Sequence, residues 1–167
     1  VAGESTAAPD STSEDAVLRR AEQRVGSTLK GKYRLEALLG LGGMGAVYLG
    51  VHRNGNRVAV KVCHPELSVD TELRARFVRE GYVANSIEHR GVIRMLDDDV
   101  TDDGAAFLVM ELLRGETLYD RASRASGRLP ERDVAAVAHE LLDVLAAAHA
   151  QGILHRDIKP ENLFLTT

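Results

Sequence analysis

Gly40, Gly42, Gly43 and Gly45 fall within six residues, between two runs with the texture of β-strands. Residues 33–39 before them and 46–51 after them are mostly Leu, Ala, Val and Tyr, the kind of residues that fit a pleated, half-buried surface. A glycine turn joining two strands makes an antiparallel flap, and this limits the folds open to the chain. The run Gly40-Leu41-Gly42-Gly43-Met44-Gly45-Ala46-Val47 fits the spacing G-x-G-x-x-G-x-V. Dinucleotide-binding folds place the same glycine spacing where a strand enters a helix. Here Val47-Tyr48-Leu49 continues as strand, which disfavours a nicotinamide-dependent oxidoreductase. The G-K-[ST] ending of a P-loop is also missing. Two readings stay open from the turn alone. One is a plain glycine hairpin; the other is a flap whose backbone amides approach phosphate oxygens where side chains are absent.

Downstream, Asn54-Gly55-Asn56 reads as a tight hairpin turn. Residues 57–63 then form a third strand, whose apolar stretch after Arg57 is interrupted only by Lys61, and Pro65 closes it. Residues 71–87 read as a helix, with Leu73, Phe77, Val78 and Ala84 near helical spacing. Two more runs of strand length lie at 92–96 and 105–110, with Asp97-Asp98-Asp99 and Asp102-Asp103-Gly104 as the polar turn between them. Five antiparallel strands and one helix therefore precede residue 114, an α+β arrangement. A short helix at 117–125 follows, and then a long one over 131–150, begun after Pro130 and ended by Gly152. Val134, Val137, Ala138, Leu141, Val144, Leu145 and Ala148 give the long helix a persistent apolar face. At the other end, residues 1–13 are small and polar and read as a disordered tail. A short helix over 13–25, ended by Gly26, is expected after it.

A lysine inside an apolar strand is costly unless it has a partner. Strand alternation places Ala59, Lys61 and Cys63 on one face. Phosphate oxygens and a carboxylate would satisfy the Lys61 ammonium, and Glu80, in the middle of the first helix, is the natural carboxylate. An edge lysine with its head in water is the competing explanation. The strongest signal is the polar run His155-Arg156-Asp157-Ile158-Lys159-Pro160-Glu161-Asn162 between two apolar segments. Asp157 can accept or orient a hydroxyl proton. Asn162 can offer an amide oxygen to magnesium. Lys159 can offset charge that develops on a transferred phosphoryl group. A metal site built on His149 and His155 is disfavoured, because no thiolate or third histidine is nearby; His155 is expected to be a packed core histidine.

Composition excludes some classes. The formal net charge of −4 argues against a nucleic-acid-binding domain, which is usually basic. The single Cys63 permits no intrachain disulfide, which suits a reducing compartment. No apolar run approaches the roughly 18 residues of a membrane span.

From about Leu29 to Leu165, the chain resembles the bacterial serine/threonine protein kinases of the eukaryotic type. The resemblance rests on the glycine-rich turn, on Val58-Ala59-Val60-Lys61, on Glu80 and on the run from His155 to Asn162, all in the family's order. It implies a protein-kinase-like fold: a five-stranded antiparallel N-lobe sheet with one regulatory helix over 29–113, and the first helices of an incomplete C-lobe over 114–167, after a tail at 1–28. It implies ATP as substrate and magnesium as cofactor. Gly40, Leu41, Gly42, Gly43 and Gly45 would cover the phosphates, and Val47 and Ala59 would sit above adenine. Met110 matches the gatekeeper position, and Glu111, Leu112 and Leu113 match the hinge. Phe164 would lie beneath the base. Lys61 would bind the α- and β-phosphates and pair with Glu80. Asp157 would be the catalytic base, with Lys159 beside it and Asn162 on magnesium.

The implied partners are ATP and protein substrates with Ser or Thr acceptors, with no nucleic acid, no membrane segment in this stretch, and scope for a dimer through the N-lobe. The implied location is the cytoplasm, whether free or as the cytosolic part of a membrane-anchored protein. Lys159 points to the serine/threonine class, and Arg156 before Asp157 resembles kinases controlled by activation-loop phosphorylation. Three departures stand out. Gly81 follows Glu80 and would loosen the regulatory helix. Arg90-Gly91 replaces the usual Pro-Asn after His89. No D-F-G or A-P-E follows by Thr167. These 167 residues alone are therefore expected to be inactive and poorly soluble, with the face of the long helix exposed. The alternative is a non-catalytic kinase-like module for nucleotide binding or scaffolding.

Overall fold

Alternating small and branched apolar residues from residue 28 onward build a sheet that is buried on both faces. The computed structural model describes residues 11–68 and 71–167; the side chains of 11–14 and of Glu80 lie outside that description. The elements run α1 (Ser11–Gln23), β1 (Thr28–Leu29), β2 (Tyr33–Gly42), β3 (Gly45–His52), β4 (Arg57–Cys63), α2 (Pro65–Ser68), α3 (Thr71–Ser86), β5 (Met95–Val100), β6 (Ala106–Glu111), β7 (Gly115–Thr117), α4 (Leu118–Arg124), α5 (Glu131–Ala150), a 3₁₀ turn (Pro160–Asn162) and β8 (Phe164–Thr166). The main sheet has the order β1-β2-β3-β4-β6-β5, antiparallel throughout. It has six strands where five were expected. The addition is β1, two residues paired to the start of β2 and too short to leave a periodic signal.

One face of the sheet buries Leu35, Tyr48, Val58, Val60, Val62, Phe107 and Val109, with Ala21 of α1 in the same cluster. The Tyr48 hydroxyl donates to the Ala21 carbonyl at 3.0 Å, and a turn containing Gly26 (φ +88°) leads from α1 into the sheet. The α1 helix starts at Ser11, two residues earlier than expected; residues 1–10 of the expected tail lie outside the described residues. The other face buries Ala59, Cys63, Ala106, Leu108 and Met110 against Phe77 of α3.

One expectation needs correction here. Asp97, Asp98 and Asp99 do not form a turn; they lie within β5, and the turn comes later, where Thr101 accepts the amide of Gly104 at 2.9 Å. β5 is an edge strand, so its polar side chains face partners rather than the core. Asp97 accepts the Tyr33 hydroxyl at 2.7 Å and lies 3.6 Å from the Lys32 ammonium, and Asp98 accepts the Tyr82 hydroxyl. Gly81 has a packing reason that the sequence did not reveal. A Cβ there would meet two methyl carbons of Leu108 at 3.0 Å, so glycine lets α3 lie close on β6.

The α5 helix has the expected bounds, Glu131–Ala150, but of its apolar face only Ala148 is buried. Val134 is 51% exposed and Leu142, beside that face, 65%. The segment after α3 docks on α5: Arg90 reaches both carboxylate oxygens of Glu140 at 2.7 Å, and His89 lies 3.1 Å from Asp143. That contact holds the Asp143 carboxyl below the usual carboxylate range, the His89 hydrogen bond being the main cause. No helix among the described residues is long and apolar enough to cross a membrane.

Candidate active site

The glycine-rich run forms the tip of the β2–β3 hairpin. Gly40 pairs with Val47, Leu41 with Ala46 and Gly42 with Gly45, leaving Gly43 and Met44 as a two-residue loop. The protein's own packing demands glycine at only one of these positions. A Cβ at Gly45 would fall 2.2 Å from the Val62 carbonyl oxygen, so β3 can cross β4 there only without a side chain. A Cβ at Gly40 or Gly43 would meet nothing within 4 Å among the described residues, and at Gly42 only the Gly45 carbonyl at 3.8 Å. None of these four glycines has positive φ. The open side of the tip therefore has no internal reason to be glycine, whereas a group approaching it from outside would supply one.

The strand register extends the flap inward. Val47 pairs with Lys61 on the neighbouring strand, and Ala59 with Met110. Val47, Ala59, Met110 and Leu112 share one apolar cluster with Phe77 and Leu108. Lys61 is half-buried at its edge, with the ammonium 5.5 Å from the centroid of the Phe77 ring, a cation–π arrangement. Glu80 lies on α3, three residues beyond Phe77; its side chain is outside the described residues, and so is its expected pairing with Lys61. The chain leaves the sheet at Glu111, whose carboxylate accepts the Arg94 amide at 2.8 Å while its own amide donates to the Arg94 carbonyl at 3.0 Å. Leu113 follows, half-buried.

The second group of residues lies beyond α5. The backbone turns at Arg156, whose φ of +62° is left-handed, and the Asp157 amide donates to His155 Nδ1 at 3.3 Å. One oxygen of the Asp157 carboxylate lies 3.2 Å from the Lys159 ammonium and accepts the Asn162 amide at 2.8 Å. Asn162 also donates to the Asp157 carbonyl at 2.9 Å. Lys159 first, and then Asn162, hold the Asp157 carboxyl below the usual carboxylate range. Because the amide nitrogen of Asn162 faces Asp157, its amide oxygen points away, and an oxygen donor of this kind suits a hard cation such as magnesium. His155 is exposed rather than packed in a core, since no described element covers the 153–158 segment. Phe164 is 41% exposed and pairs with Thr117 in the β7–β8 ladder, outside both apolar clusters of the sheet.

One residue of the site escaped the sequence reading. His64, just past β4, places Nε2 2.8 Å from the Gly42 carbonyl and donates its amide to the Met44 carbonyl at 3.2 Å. Nothing in the spacing of the motifs marks it, because the contact spans the sheet rather than a turn.

Comparison with known proteins assigns this arrangement to a family. The pattern described as the protein kinase domain matches residues 33–167. The chain is 41% identical over 139 residues to serine/threonine-protein kinase pkn2 of Myxococcus xanthus, covering 83% of this chain and 16% of that protein. It is 41% identical over 148 residues to serine/threonine-protein kinase PknA of Mycobacterium tuberculosis, covering 86% of this chain and 34% of that protein. The chain thus spans a minor part of the length of these relatives. Among solved structures, the Mycobacterium tuberculosis PknI kinase domain superposes with a TM-score of 0.72 at 34% identity, over 85% of this chain and 57% of that one. With the flap, the strand lysine and the carboxylate loop all inside the matched region, the chain belongs to the protein kinase domain family.

Proposed function

We propose that the protein containing this chain is a serine/threonine protein kinase that transfers the γ-phosphoryl group of ATP to Ser or Thr hydroxyls of proteins. The observation that carries this reading is the Asp157 carboxylate held between Lys159 and Asn162, since a module that only bound nucleotide would have no use for a poised base.

In this reading residues 29–113 are the ATP-binding lobe and 114–167 the start of the C-lobe. Gly40, Leu41, Gly42, Gly43 and Gly45 cover the phosphates, and the three glycines with no internal cause let backbone amides come close. Val47 and Ala59 form the roof over adenine, Phe164 the floor and Met110 the back wall, and the backbone from Glu111 to Leu113 binds the base edge. Lys61 holds the α- and β-phosphates, with Glu80 as its partner. The substrate hydroxyl oxygen attacks the γ-phosphorus as the bond to the bridging oxygen breaks and ADP leaves; Asp157 orients that hydroxyl and accepts its proton. Lys159 offsets charge on the transferring group. Asn162 would hold magnesium, which neutralises charge on the phosphates when bound. We place the protein in the cytoplasm, free or as the cytosolic part of an anchored chain, with self-association through the N-lobe.

In the native protein, with labelled ATP and a Ser/Thr-rich acceptor, Asp157→Asn is expected to lower kcat roughly 10²–10⁴-fold with little change in KM for ATP. Undiminished transfer by that variant would defeat the assignment. The 167 residues by themselves hold Asn162 but no D-F-G aspartate, the other magnesium ligand of protein kinases. They are expected to bind ATP without transferring its phosphoryl group.

A further inference from the structure

We infer that His64 is a positioning residue for the glycine-rich flap, fixing the Gly42–Gly43 peptide so that its amide faces the nucleotide. The inference rests on the kinase reading above and deepens it.

His64 is held at three points. Its amide donates to Met44, one step past the Gly45–Cys63 pair that ends the β3–β4 ladder. Its carbonyl accepts the amides of Leu67 and Ser68 at 3.0 and 3.1 Å, so the residue also starts α2. Its ring then reaches Gly42 at 2.8 Å. A carbonyl can only accept, so Nε2 donates and carries the proton. The backbone contacts anchor the residue in the sheet and α2, which leaves the ring as a rigid post under a hairpin tip that is otherwise exposed.

Direction gives the contact its purpose. His64 lines, together with Ala46, Tyr48 and Val62, a cavity of about 330 Å³ beneath α1, on the sheet face opposite Lys61. A trans peptide is planar, with its C=O and N–H pointing in opposite directions. Turning the Gly42 carbonyl toward His64 therefore turns the Gly43 amide away from that cavity. Gly43 has no side chain to block approach and no neighbour within 4 Å of a Cβ position. Without the ring the tip keeps its Gly42–Gly45 pairing but loses the bond that ties this peptide to the corner between β4 and α2.

The test compares the unaltered chain with His64→Ala and His64→Gln, the latter retaining a side-chain N–H donor. Binding of magnesium-ATP by calorimetry, KM and kcat are all measured for the native protein. Loss of one hydrogen bond predicts about fivefold weaker ATP binding and higher KM for His64→Ala, with kcat and the KM for the protein acceptor unchanged, and recovery of most of the affinity in His64→Gln. If His64→Ala binds ATP like the unaltered chain, or if His64→Gln is no better than His64→Ala, the inference is wrong while the kinase reading stands. If the unaltered native protein binds no ATP, both fall.

Discussion

The sheet of β1–β6 and the segment from β7 to β8 hold their apolar residues in opposite ways. In the sheet, Leu35, Val60 and Phe107 are fully buried, and two helices, α1 and α3, cover its two faces. In the later segment, Ala148 is the one buried hydrophobic among the described residues, while Leu142, Leu154, Ile158 and Phe164 face solvent. Both regions carry residues of the candidate site, so a site can span a part that holds its own core and a part that does not. The first holds its share of the candidate residues by close packing; the second holds the proposed base, Asp157, by local hydrogen bonds with Lys159 and Asn162.

The sharpest way to break this comparison is a pair of truncations in the 167-residue chain. Phe107→Ala removes a fully buried ring and is expected to cost about 3–5 kcal/mol. Leu142→Ala, at a position 65% exposed, is expected to stay within about 0.5 kcal/mol. Denaturant unfolding reads both. Equal losses would mean that α5 is covered in solution and that the contrast is false.

A smaller effect separates the regions by pH. Burial, and then the hydrogen bond to Asp97, raise the Tyr33 hydroxyl to about 12. The folded state thus keeps a proton that the unfolded chain releases near pH 10. Its contribution is complete below pH 10 and is lost as pH rises from there toward 12. Tyr33→Phe is expected to cost about 1 kcal/mol at neutral pH and to flatten that alkaline decline. A decline of unchanged steepness in the variant would remove Tyr33 as its source.

The smallest effect lies at the seam. Arg90 and Glu140 are paired but well exposed, at 76% and 55%, so Arg90→Ala is expected to cost no more than about 1 kcal/mol, and less in high salt. A loss that salt leaves unchanged would assign the docking to packing at the neighbouring Gly91 and Val144, where a Cβ on the glycine would come within 2.5 Å of the valine.

The same contrast explains what was legible in the sequence. β4 and α5 match their expected bounds because alternation and helical periodicity are strong signals there. β5 was displaced by a few residues, because Asp97, Asp98 and Asp99 look like a turn until Tyr33, Lys32 and Tyr82 supply their partners from other elements. β1, β7 and β8 have two or three residues each and make no pattern. In the candidate site, Lys61, Asp157, Lys159 and Asn162 were legible as candidates from residue type and spacing, because the chemistry proposed for them requires those groups in that order. The role of His64 could not, since a ring reaching across a sheet to a carbonyl depends on strand register and on a side-chain torsion. Gly81 and Gly91 read as departures in the sequence because the neighbours that need them small, Leu108 and Val144, are distant along the chain.

The β7–β8 ladder has a consequence for chain length. Gly115, Glu116 and Thr117 pair with Thr166, Leu165 and Phe164, and at its ends Leu118 donates to Leu163 at 2.7 Å and Thr167 to Arg114 at 3.0 Å. The excursion through α4 and α5 therefore departs and returns at one place. Its ends are fixed by the ladder and not by the length of what lies between them. Lengthening the connection near Gly127 would add only a slowly growing entropic cost, about 0.6 kcal/mol per doubling of a flexible loop. Asp157 and Asn162 lie at the returning end of the excursion, just before β8, so the ladder anchors that end whatever the length of the α4–α5 connection.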